Sequence, residues 1–340
     1  MKAIRVHGPG HYSIDEVDEP VAGPKDVVVK VAACGVCGTD VHFVRNGQRQ
    51  ANGDPLPLGH EAAGIVEVVG SEVTGFAPGQ RVFINPMLST GDEVIGNGGR
   101  EGAFAPRLLV RSVTGGVSLL PVPEGIGLDE AALVEPLAVG MHGINRGNPT
   151  ADSKVAVFGC GPIGLAGILW LARRGVNNIV AVDISEARLE KASKLGAHAT
   201  INPSREDLGE RLREYHGEGR RSTGIPTVGT DVFYDMAGGK GVIPGIIAVA
   251  QHHARLVVSA VYPQPLELNM VDILVRELEI TTACGYPIEL DAVLAELPKL
   301  PKEILATYVS HRFPFERFDE AFAAAQLPES AKVMVTFPGD

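Results

Sequence analysis

The stretch "VAVFGCGPIGLAGILWLA", residues 155–172, decides the fold of this 340-residue chain. An apolar run with strand character ends in Gly159-x-Gly161-x-x-Gly164, and an apolar helical pattern follows. In this context the first glycine permits a tight turn, the second lets backbone approach a pyrophosphate, and the third lets the helix pack on the strand. The N–H groups and dipole at the helix N-terminus attract the anion. The stretch therefore predicts a dinucleotide site.

The next strand, "NIVAVDIS", places Asp183 24 positions after Gly159. A carboxylate there accepts hydrogen bonds from ribose hydroxyls and repels a 2′-phosphate. No Arg or Lys follows at once, so the sequence favours NAD over NADP, and Arg188 is a candidate to flank the adenine. A glycine turn in some other α/β fold is the alternative. The predicted cofactor-binding residues are Gly159, Gly161, Pro162, Ile163, Gly164, Asp183 and Arg188.

The pattern of apolar and polar residues changes near Lys154. Before it, short apolar or alternating runs such as "DVVVKVAACG" are separated by Gly and Pro, which indicates a β-rich region. After it, strand and helix patterns alternate, which predicts a parallel sheet covered on both faces. The C-terminal segment predicts one helix over about 316–326 and a closing strand. The predicted fold class is α/β.

Composition excludes several classes of protein. With 45% hydrophobic and 21% charged residues the chain is ordinary globular protein, and its length favours two domains. A net charge of -11 argues against a nucleic-acid partner. The longest apolar run, Ile163 to Ala172, is about half a bilayer span, and no secretory stretch begins the chain. We therefore expect a soluble cytoplasmic protein, and four cysteines are too few for a disulfide framework.

A second group of residues raises the question of a metal. Cys37 lies in "CGVCGTDVH" (34–42), His60 and Glu61 lie in "GHE", and Glu135 lies in "VEPLAV". A catalytic zinc takes thiolate, imidazole and carboxylate ligands from separated segments and keeps one position open. A single cysteine is equally consistent with a small buried hydrophobe, and Glu61 with a surface charge. The residues alone leave the zinc site undecided.

Taken together, the motifs resemble the zinc-dependent medium-chain dehydrogenase/reductase family, and most of all its polyol, butanediol and threonine dehydrogenase branch. The resemblance rests on "CGVCGTDVH", "PLPLGHEAAGIVEVVG", "VEPLAV", "VAVFGCGPIG" and "VAVDISEARLEKASKLGA", which occur in family order over essentially the whole chain. It implies a GroES-like β-rich catalytic domain (residues 1–150 and 287–340), a Rossmann NAD-binding domain (residues 151–286), and a catalytic zinc in the cleft between them.

The resemblance also implies the ligand set. Cys37, His60 and Glu61 match zinc ligands, and Glu135 stands where typical alcohol dehydrogenases have cysteine, to bind zinc directly or through water or substrate. The other cysteines, at 34, 160 and 284, match no ligand position. Many members carry four cysteines for a structural zinc, whereas residues 85–106 here contain none. One catalytic zinc and no structural zinc are expected, together with a homo-oligomer, a dimer or a tetramer.

The implied activity is hydride transfer between NAD and a small-molecule alcohol or ketone, with Cys37, His60, Thr39 and His42 as catalytic residues. Thr39 and His42 match the proton relay of the family, and histidine is the side chain that ordinarily titrates near neutral pH. Asp40 either orients a ligand or is a turn aspartate.

Phe43, where sorbitol dehydrogenases tend to have a tyrosine, and "ITTACGYP", which lacks an arginine, favour a small secondary alcohol or vicinal diol over a hexitol. A polyol- or sorbitol-type or an L-threonine-type dehydrogenase of the same family is the alternative. A zinc-free quinone or enoyl reductase, or a non-catalytic nucleotide-binding protein, are further alternatives.

Overall fold

A computed structural model describes residues 1–87, 94–220, 224 and 226–338 of the chain. The glycine stretch lies in a six-stranded sheet in which every neighbouring pair of strands is parallel. Its strand order is β11-β10-β9-β12-β13-β14, the doubly wound order of a Rossmann fold. These strands are β9 (Lys154–Phe158), β10 (Asn178–Val182), β11 (Ala199–Ile201), β12 (Val232–Asp235), β13 (Arg255–Val258) and β14 (Glu279–Thr282).

A seven-stranded mixed sheet is built mainly from the N-terminal part of the chain. Its order is β15-β16-β3-β5-β6-β8, and β7 pairs with β3. Two of its strands come from the C-terminus, so the chain returns to this sheet after it leaves the parallel one. The strands are β3 (Val27–Val36), β5 (Glu61–Val69), β6 (Arg81–Ile84), β7 (Arg107–Val110), β8 (Leu119–Pro121), β15 (Val309–Pro314) and β16 (Lys332–Thr336).

A three-stranded sheet and eleven α-helices complete the described architecture. The small sheet has the order β2-β1-β4 and consists of β1 (Lys2–Gly8), β2 (His11–Glu16) and β4 (Leu56–Pro57). The helices are α1 (Gly38–Asn46), α2 (Leu128–Ala131), α3 (Val134–Gly147), α4 (Pro162–Arg173), α5 (Glu186–Lys194), α6 (Leu208–His216), α7 (Val242–Val249), α8 (Met270–Arg276), α9 (Leu290–Glu296), α10 (Lys302–Tyr308) and α11 (Phe318–Ala324).

The fold confirms the expected α/β class. The GroES-like region is β-rich, the Rossmann sheet is parallel, and the predicted C-terminal helix and strand are present as α11 and β16. Helix α3, which precedes residue 150, packs on α4 and contacts β12 and β13, while α9 packs on α3. The domain boundaries at residues 150 and 286 stay predictions.

One hydrophobic core connects the two large sheets. It contains Ala33, Ala63 and Phe83 of the mixed sheet together with Val155 and Val157 of the parallel sheet. The four cysteines are all free, in agreement with the sequence analysis. Within the described ranges, every helix is too short or too polar to cross a bilayer. The continuous core fixes the sheets against each other and so positions the cleft between them.

A buried histidine at the C-terminal end of helix α6 predicts acid sensitivity. His216 is 1% exposed, and its Nδ1 lies 2.8 Å from the hydroxyl of Thr230. Burial and the nearby charge of Lys154 lower its pKa to about 4, although the charge of Asp231 acts to raise it. The unfolded histidine titrates near pH 6.5, so the unfolded chain binds the additional proton between pH 6.5 and 4.

We expect this histidine to reduce the free energy of unfolding by at most about 3 kcal/mol as the pH falls through that window. His216→Asn should remove this part of the pH dependence. Urea unfolding of both proteins from pH 7 to pH 4 measures the difference, and parallel curves for the two proteins would contradict the prediction.

Candidate active site

Strand pairing brings the candidate metal ligands together. Cys37 directly follows β3 and is the N-cap of α1, whereas His60 directly precedes β5 and Glu61 begins it. Because β3 and β5 are antiparallel and Gly35 pairs with Glu61, the end of one strand meets the start of the other. Two segments more than twenty positions apart in sequence therefore present their polar side chains together, where β3 ends and β5 begins.

The ligand atoms of Cys37, His60 and Glu61 all lie within 4.8 Å of one another. His60 and Glu61 are 3% and 0% exposed, and the thiol is partly buried. Glu135, the second residue of α3, is also buried, and it lies within electrostatic range of the three. The structure thus brings three of the four predicted ligands together, and Glu135 lies near them but outside that group.

The electrostatics of this cluster are those of a crowded acidic site. Burial raises the pKa of the Cys37 thiol to about 12, and the neighbouring Glu61 adds to the effect. Burial likewise raises the pKa of Glu135 to about 8, with further contributions from Glu61 and Cys37 that oppose the effect of His60. Burying several acids together is costly unless a cation accompanies them.

A lysine that the sequence analysis did not consider provides one such cation. Lys332, the first residue of β16, is 1% exposed and donates to both carboxylate oxygens of Glu61 at 2.6 and 2.7 Å and to the carbonyl of Val36 at 3.2 Å. It reaches the site because β16 pairs with β3, with Val333 opposite Val36. Removing one partner of such a buried pair costs about 3–5 kcal/mol.

Asp40 links the two ligand segments. Its carboxylate is fully buried and accepts from the N–H of Cys37 at 2.9 Å and from the N–H of Gly59 at 3.1 Å. One of its oxygens lies 3.8 Å from Nδ1 of His60. Burial raises the pKa of this carboxyl. Asp40 therefore caps the first turn of α1 and also connects the Cys37 segment to the segment that carries His60. It combines a local capping role with the positioning role that the sequence suggested.

The residues fit a zinc ion on three observations. The donor set of thiol, imidazole and carboxylate is the one that catalytic zinc sites use. Nδ1 of His60 is buried and has no hydrogen-bond partner among the described residues. Gly35 leaves the space that the Glu61 carboxylate occupies, because a Cβ at that position would overlap Glu61 Oε2. This local fit supports a metal ion held between β3 and β5.

Gly35→Ala should therefore weaken zinc binding. The new methyl group would displace the Glu61 carboxylate from its place over β3, and we expect the affinity for zinc to fall about tenfold or more. Competition with a chromophoric chelator measures the affinity. Gly38→Ala is the matched control, because a Cβ there meets no atom within 4 Å. Equal zinc affinity in Gly35→Ala and wild type would contradict the placement of Glu61.

The glycine turn has the geometry that the sequence predicts. Gly159 has φ +91°, and a Cβ on it would lie 2.8 Å from the backbone of Ala237. A Cβ on Gly164 would overlap the carbonyl oxygen of Gly159, whereas one on Gly161 would meet nothing within 4 Å. Gly161 is also the N-cap of α4, whose N-terminus has no side-chain cap. Gly159 and Gly164 are thus packed tightly against the protein, whereas Gly161 faces free space at the N-terminus of α4.

The other predicted cofactor residues, Asp183 and Arg188, lie near the glycine turn, at the carboxyl end of the parallel strands. Asp183 directly follows β10, and its carboxylate accepts from the N–H of Cys160 at 2.6 Å and from that of Ser185 at 2.8 Å. Arg188 lies on α5 and donates to the carbonyls of Ser330 at 2.9 Å and Leu327 at 3.4 Å. The predicted contact of Arg188 with adenine stays a prediction.

A cavity of about 580 Å³ joins the metal candidates to the glycine turn. Thr39 Oγ1 lies 3.7 Å from the sulfur of Cys37, and His42, one turn later on α1, is exposed and 2.9 Å from the amide of Asn46. The two predicted relay residues therefore follow one face of α1 from the cluster to solvent. The lining side chains are Cys37, Thr39, Val41, His42, Arg45, Glu61, Pro162, Ile163, Met236, Ala237, Ser259, Ala260, Val261, Pro263 and Lys332, with Gly38 and Gly161.

Two tyrosines at the site were not anticipated from the sequence. Tyr308, fully buried, donates to the carbonyl of Pro162 at 3.0 Å, and its pKa is raised by burial and by Glu61 and Glu135. Tyr286 is 7% exposed, and its hydroxyl is buried without a partner among the described residues. Burial raises its pKa, and the charges of Glu135 and Glu61 raise it further. Both tyrosines therefore lie within electrostatic range of the acidic cluster.

Comparison with known proteins agrees with this architecture. Residues 23–124 match the alcohol dehydrogenase GroES-like domain, and residues 162–298 match the zinc-binding dehydrogenase family model. Sorbitol dehydrogenase of Rattus norvegicus is 30% identical over 98% of this chain and 95% of its own length. The crystal structure of 2R,3R-butanediol dehydrogenase from Bacillus subtilis superposes with a TM-score of 0.86, at 27% identity and 99% coverage of both chains.

Two further solved structures carry a dinucleotide. An alcohol dehydrogenase from Escherichia coli in complex with NADH has a TM-score of 0.85 at 27% identity and covers 99% of both chains. A zinc-binding dehydrogenase from Sinorhizobium meliloti bound to NADP has the same TM-score and identity and covers 98% of both chains. Similar folds thus accept either nicotinamide dinucleotide.

The fold and the site define an oxidoreductase of the zinc-binding dehydrogenase class, with a cleft between its two large sheets. This chain belongs to the zinc-dependent medium-chain dehydrogenase/reductase family, on the side of its polyol and butanediol dehydrogenases. It is an alcohol dehydrogenase that acts on the CH–OH group of a small molecule.

Proposed function

We propose that the protein oxidises a vicinal diol or a related secondary alcohol with NAD, at one zinc held by Cys37, His60 and Glu61. The convergence of these three side chains, of which Cys37 and Glu61 line the cavity that reaches the glycine turn, carries the proposal. Zinc, when bound, supplies a Lewis acid that lowers the pKa of the substrate hydroxyl, and NAD, when bound, supplies the hydride acceptor.

The protein residues supply position, charge and a route for the proton. Asp40 fixes the backbone at Cys37 and Gly59, and Lys332 holds the carboxylate of Glu61 in the buried site. Thr39 takes the proton at the substrate end of the cavity, and His42 delivers it to solvent from the exposed end of the same helix face. Glu135 is the fourth predicted ligand and would hold the zinc directly or through water or substrate.

The preference for NAD over NADP rests on Asp183. Its carboxylate is fixed at the end of β10 by two N–H groups, so its negative charge remains where a 2′-phosphate would lie. Arg188, the nearest basic residue along this segment, directs its guanidinium to carbonyls of residues 327 and 330. Because one relative binds NADP, an assay of this protein should compare NAD with NADP.

The substrate class follows from the relatives and from Tyr286. Sorbitol and butanediol dehydrogenases both act, by name, on molecules with neighbouring hydroxyls. The hydroxyl of Tyr286 is buried without a partner among the described residues, within electrostatic range of Glu135 and Glu61, and the residue lines a second cavity of about 460 Å³. A second substrate hydroxyl that reached it would satisfy it. A diol uses this contact and a simple alcohol does not.

Tyr286→Phe should therefore separate the two kinds of substrate. For a vicinal diol we expect kcat/KM to fall about tenfold, the effect of one hydrogen bond of about 1.4 kcal/mol. For a simple secondary alcohol of the same length we expect a change of less than about threefold, because the lost hydroxyl has no partner there. Steady-state kinetics with 2,3-butanediol and 2-butanol measure the split, and an equal decrease for both substrates would contradict the role.

The function itself is tested by NAD reduction with short secondary alcohols, vicinal diols, polyols and threonine, beside metal analysis of the same preparation. We expect about one zinc per chain, turnover with diols or secondary alcohols, and a preference for NAD over NADP of about tenfold or more. Undiminished turnover without metal would exclude the zinc mechanism. NAD binding without oxidation of any alcohol would indicate a non-catalytic protein.

We also propose that the protein is a homo-oligomer. Strand β14 ends the parallel sheet in the described part of the chain, and Ile280 on it is 44% exposed. Helix α8, which precedes it, exposes Met270, Val271 and Leu274 by 64–72%. An edge strand beside exposed apolar side chains is typical of an interface between copies. Light scattering after gel filtration should give at least a dimer, and a monomer would contradict this assignment. The absence of the four-cysteine structural zinc of the family and a cytoplasmic location stay predictions.

A further inference from the structure

A second cluster of metal-ligand side chains lies at the opposite end of the parallel sheet. His252 and His253 lie in the turn between α7 and β13, and Glu277 lies between α8 and β14. Both turns precede their strands, whereas the glycine turn and Asp183 follow theirs. Since all these strands are parallel, the cluster is at the amino edge of the sheet and the dinucleotide site is at the carboxyl edge.

The three side chains converge. Nε2 of His252 lies 3.6 Å from one oxygen of Glu277, and Nδ1 of His253 lies 3.6 Å from the other. The ligand atoms of all three residues are within 4.8 Å of one another. Two ligands at about 2.1 Å from a tetrahedral zinc are roughly 3.4 Å apart, so a metal needs only small side-chain rotations here.

The backbone holds two of these residues in an unusual conformation. His253 has φ +61° and Glu277 has φ +47°, and they are two of the four non-glycine residues with positive φ in the described part of the chain. Glu277 is the C-cap of α8, a position where glycine is common. The left-handed conformation costs about 1 kcal/mol or more for such side chains, and strain of this kind is often found at ligand sites.

The two turns are fixed to each other by main-chain hydrogen bonds. The N–H of His253 donates to the carbonyl of Arg276 at 2.8 Å, and the N–H of Glu279 donates to the carbonyl of Ala254 at 3.1 Å. The pairing of Arg255 with Glu279 continues this connection into β13 and β14. The three ligand side chains therefore project from a rigid base, which reduces the entropy lost when an ion binds.

The neighbouring basic residues have other acidic partners. Arg276 pairs with Asp272 at 3.0 Å, Arg220 lies 3.7 Å from Asp231, and Arg255 pairs with Glu279. In the described part of the chain, the ion-pair partners of Glu277 are the two imidazoles alone. Its carboxylate is thus available to a cation that also accepts imidazole nitrogen.

From this arrangement we propose that His252, His253 and Glu277 form a second metal site for a divalent transition ion, Zn²⁺, Ni²⁺ or Cu²⁺. Two imidazoles and a carboxylate suit these ions better than Mg²⁺ or Ca²⁺, which prefer oxygen ligands. Water completes the coordination, because His253 and Glu277 are 55% and 63% exposed on their side chains. The ion connects the turns before β13 and β14 and does not enter the reaction.

Zinc titration of the holoenzyme tests this site. The protein, with its catalytic metal in place, is freed of excess zinc by dialysis and titrated with ZnCl₂ in a calorimeter, in parallel with His252→Ala, His253→Asn and Glu277→Gln. Asn tolerates the left-handed conformation of residue 253, so that variant removes the imidazole and keeps the turn. His198→Ala, which removes an exposed histidine elsewhere, is the matched control.

We expect wild type and the control to bind one further zinc, and each variant to bind it at least about tenfold more weakly. The thermal midpoint should rise with added zinc in wild type and not in the variants, while NAD reduction stays the same in all of them. Equal further binding in wild type and variants, or none in wild type, would show that these side chains form an ion pair only. If a variant instead lost the catalytic zinc, the substitution would have acted on the site of Cys37, His60 and Glu61.

Discussion

Cys37→Ser and His60→Ala should each yield a folded protein that retains little zinc and has lost kcat/KM by about a thousandfold or more. Each change removes one of three ligand atoms that lie within 4.8 Å of one another in a buried site. A Lewis acid contributes several kcal/mol to transition-state stabilisation, and about 4 kcal/mol corresponds to a thousandfold. Elemental analysis, together with diol oxidation at saturating NAD, measures both effects.

Cys34→Ser is the matched control for this prediction. Cys34 lies three residues before Cys37 on β3, but it is fully buried in the hydrophobic core of the mixed sheet. Its replacement should lower the stability and leave the zinc content unchanged. NAD binding should survive in all three variants, because the glycine turn belongs to the other sheet. Full activity in Cys37→Ser or His60→Ala would show that the cluster does not hold the catalytic ion.

Gly161→Ala should weaken NAD binding about 100-fold, which is about 2.7 kcal/mol, without destabilising the protein. The added methyl meets no protein atom within 4 Å, and φ −69° with ψ −176° is open to alanine, so the folded chain accepts it. The methyl would occupy the space through which a pyrophosphate approaches the N-terminus of α4. Fluorescence titration with NADH and thermal unfolding measure the two effects separately.

Gly164→Ala distinguishes a cofactor role from a packing role. A Cβ there would overlap the carbonyl oxygen of Gly159, so we expect this variant to lose stability first and NAD binding as a consequence. Zinc content should remain at the wild-type value in Gly161→Ala. If Gly161→Ala bound NADH as tightly as wild type, the space above Gly161 would not be the pyrophosphate site.

Most of the fold could be predicted from the sequence because the residues that specify it lie close together in the chain. The glycine turn, the strand before it and Asp183 have roles that follow from their spacing, and the structure places all of them at one sheet edge. The convergence of Cys37 with His60 and Glu61 depends on the antiparallel register of β3 and β5, which periodicity does not reveal. The family resemblance supplied that information.

Lys332, Tyr286 and Tyr308 show what was missed and why. Each is far from the metal ligands in sequence and reaches them through tertiary packing. One signal for Lys332 was available, because a lysine that opens the apolar run "KVMVTF" of a closing strand needs an acidic partner if the strand is buried. The tyrosines gave no comparable signal, since aromatic residues are common in cores for packing reasons alone.

Anomalous X-ray scattering at the zinc edge, from crystals of the protein as purified, tests the central claim most directly. A zinc-dependent mechanism at this cleft predicts a peak at about 2.3 Å from the sulfur of Cys37 and about 2.1 Å from a ring nitrogen of His60. An active protein whose crystals show no anomalous density between Cys37, His60 and Glu61 would contradict it.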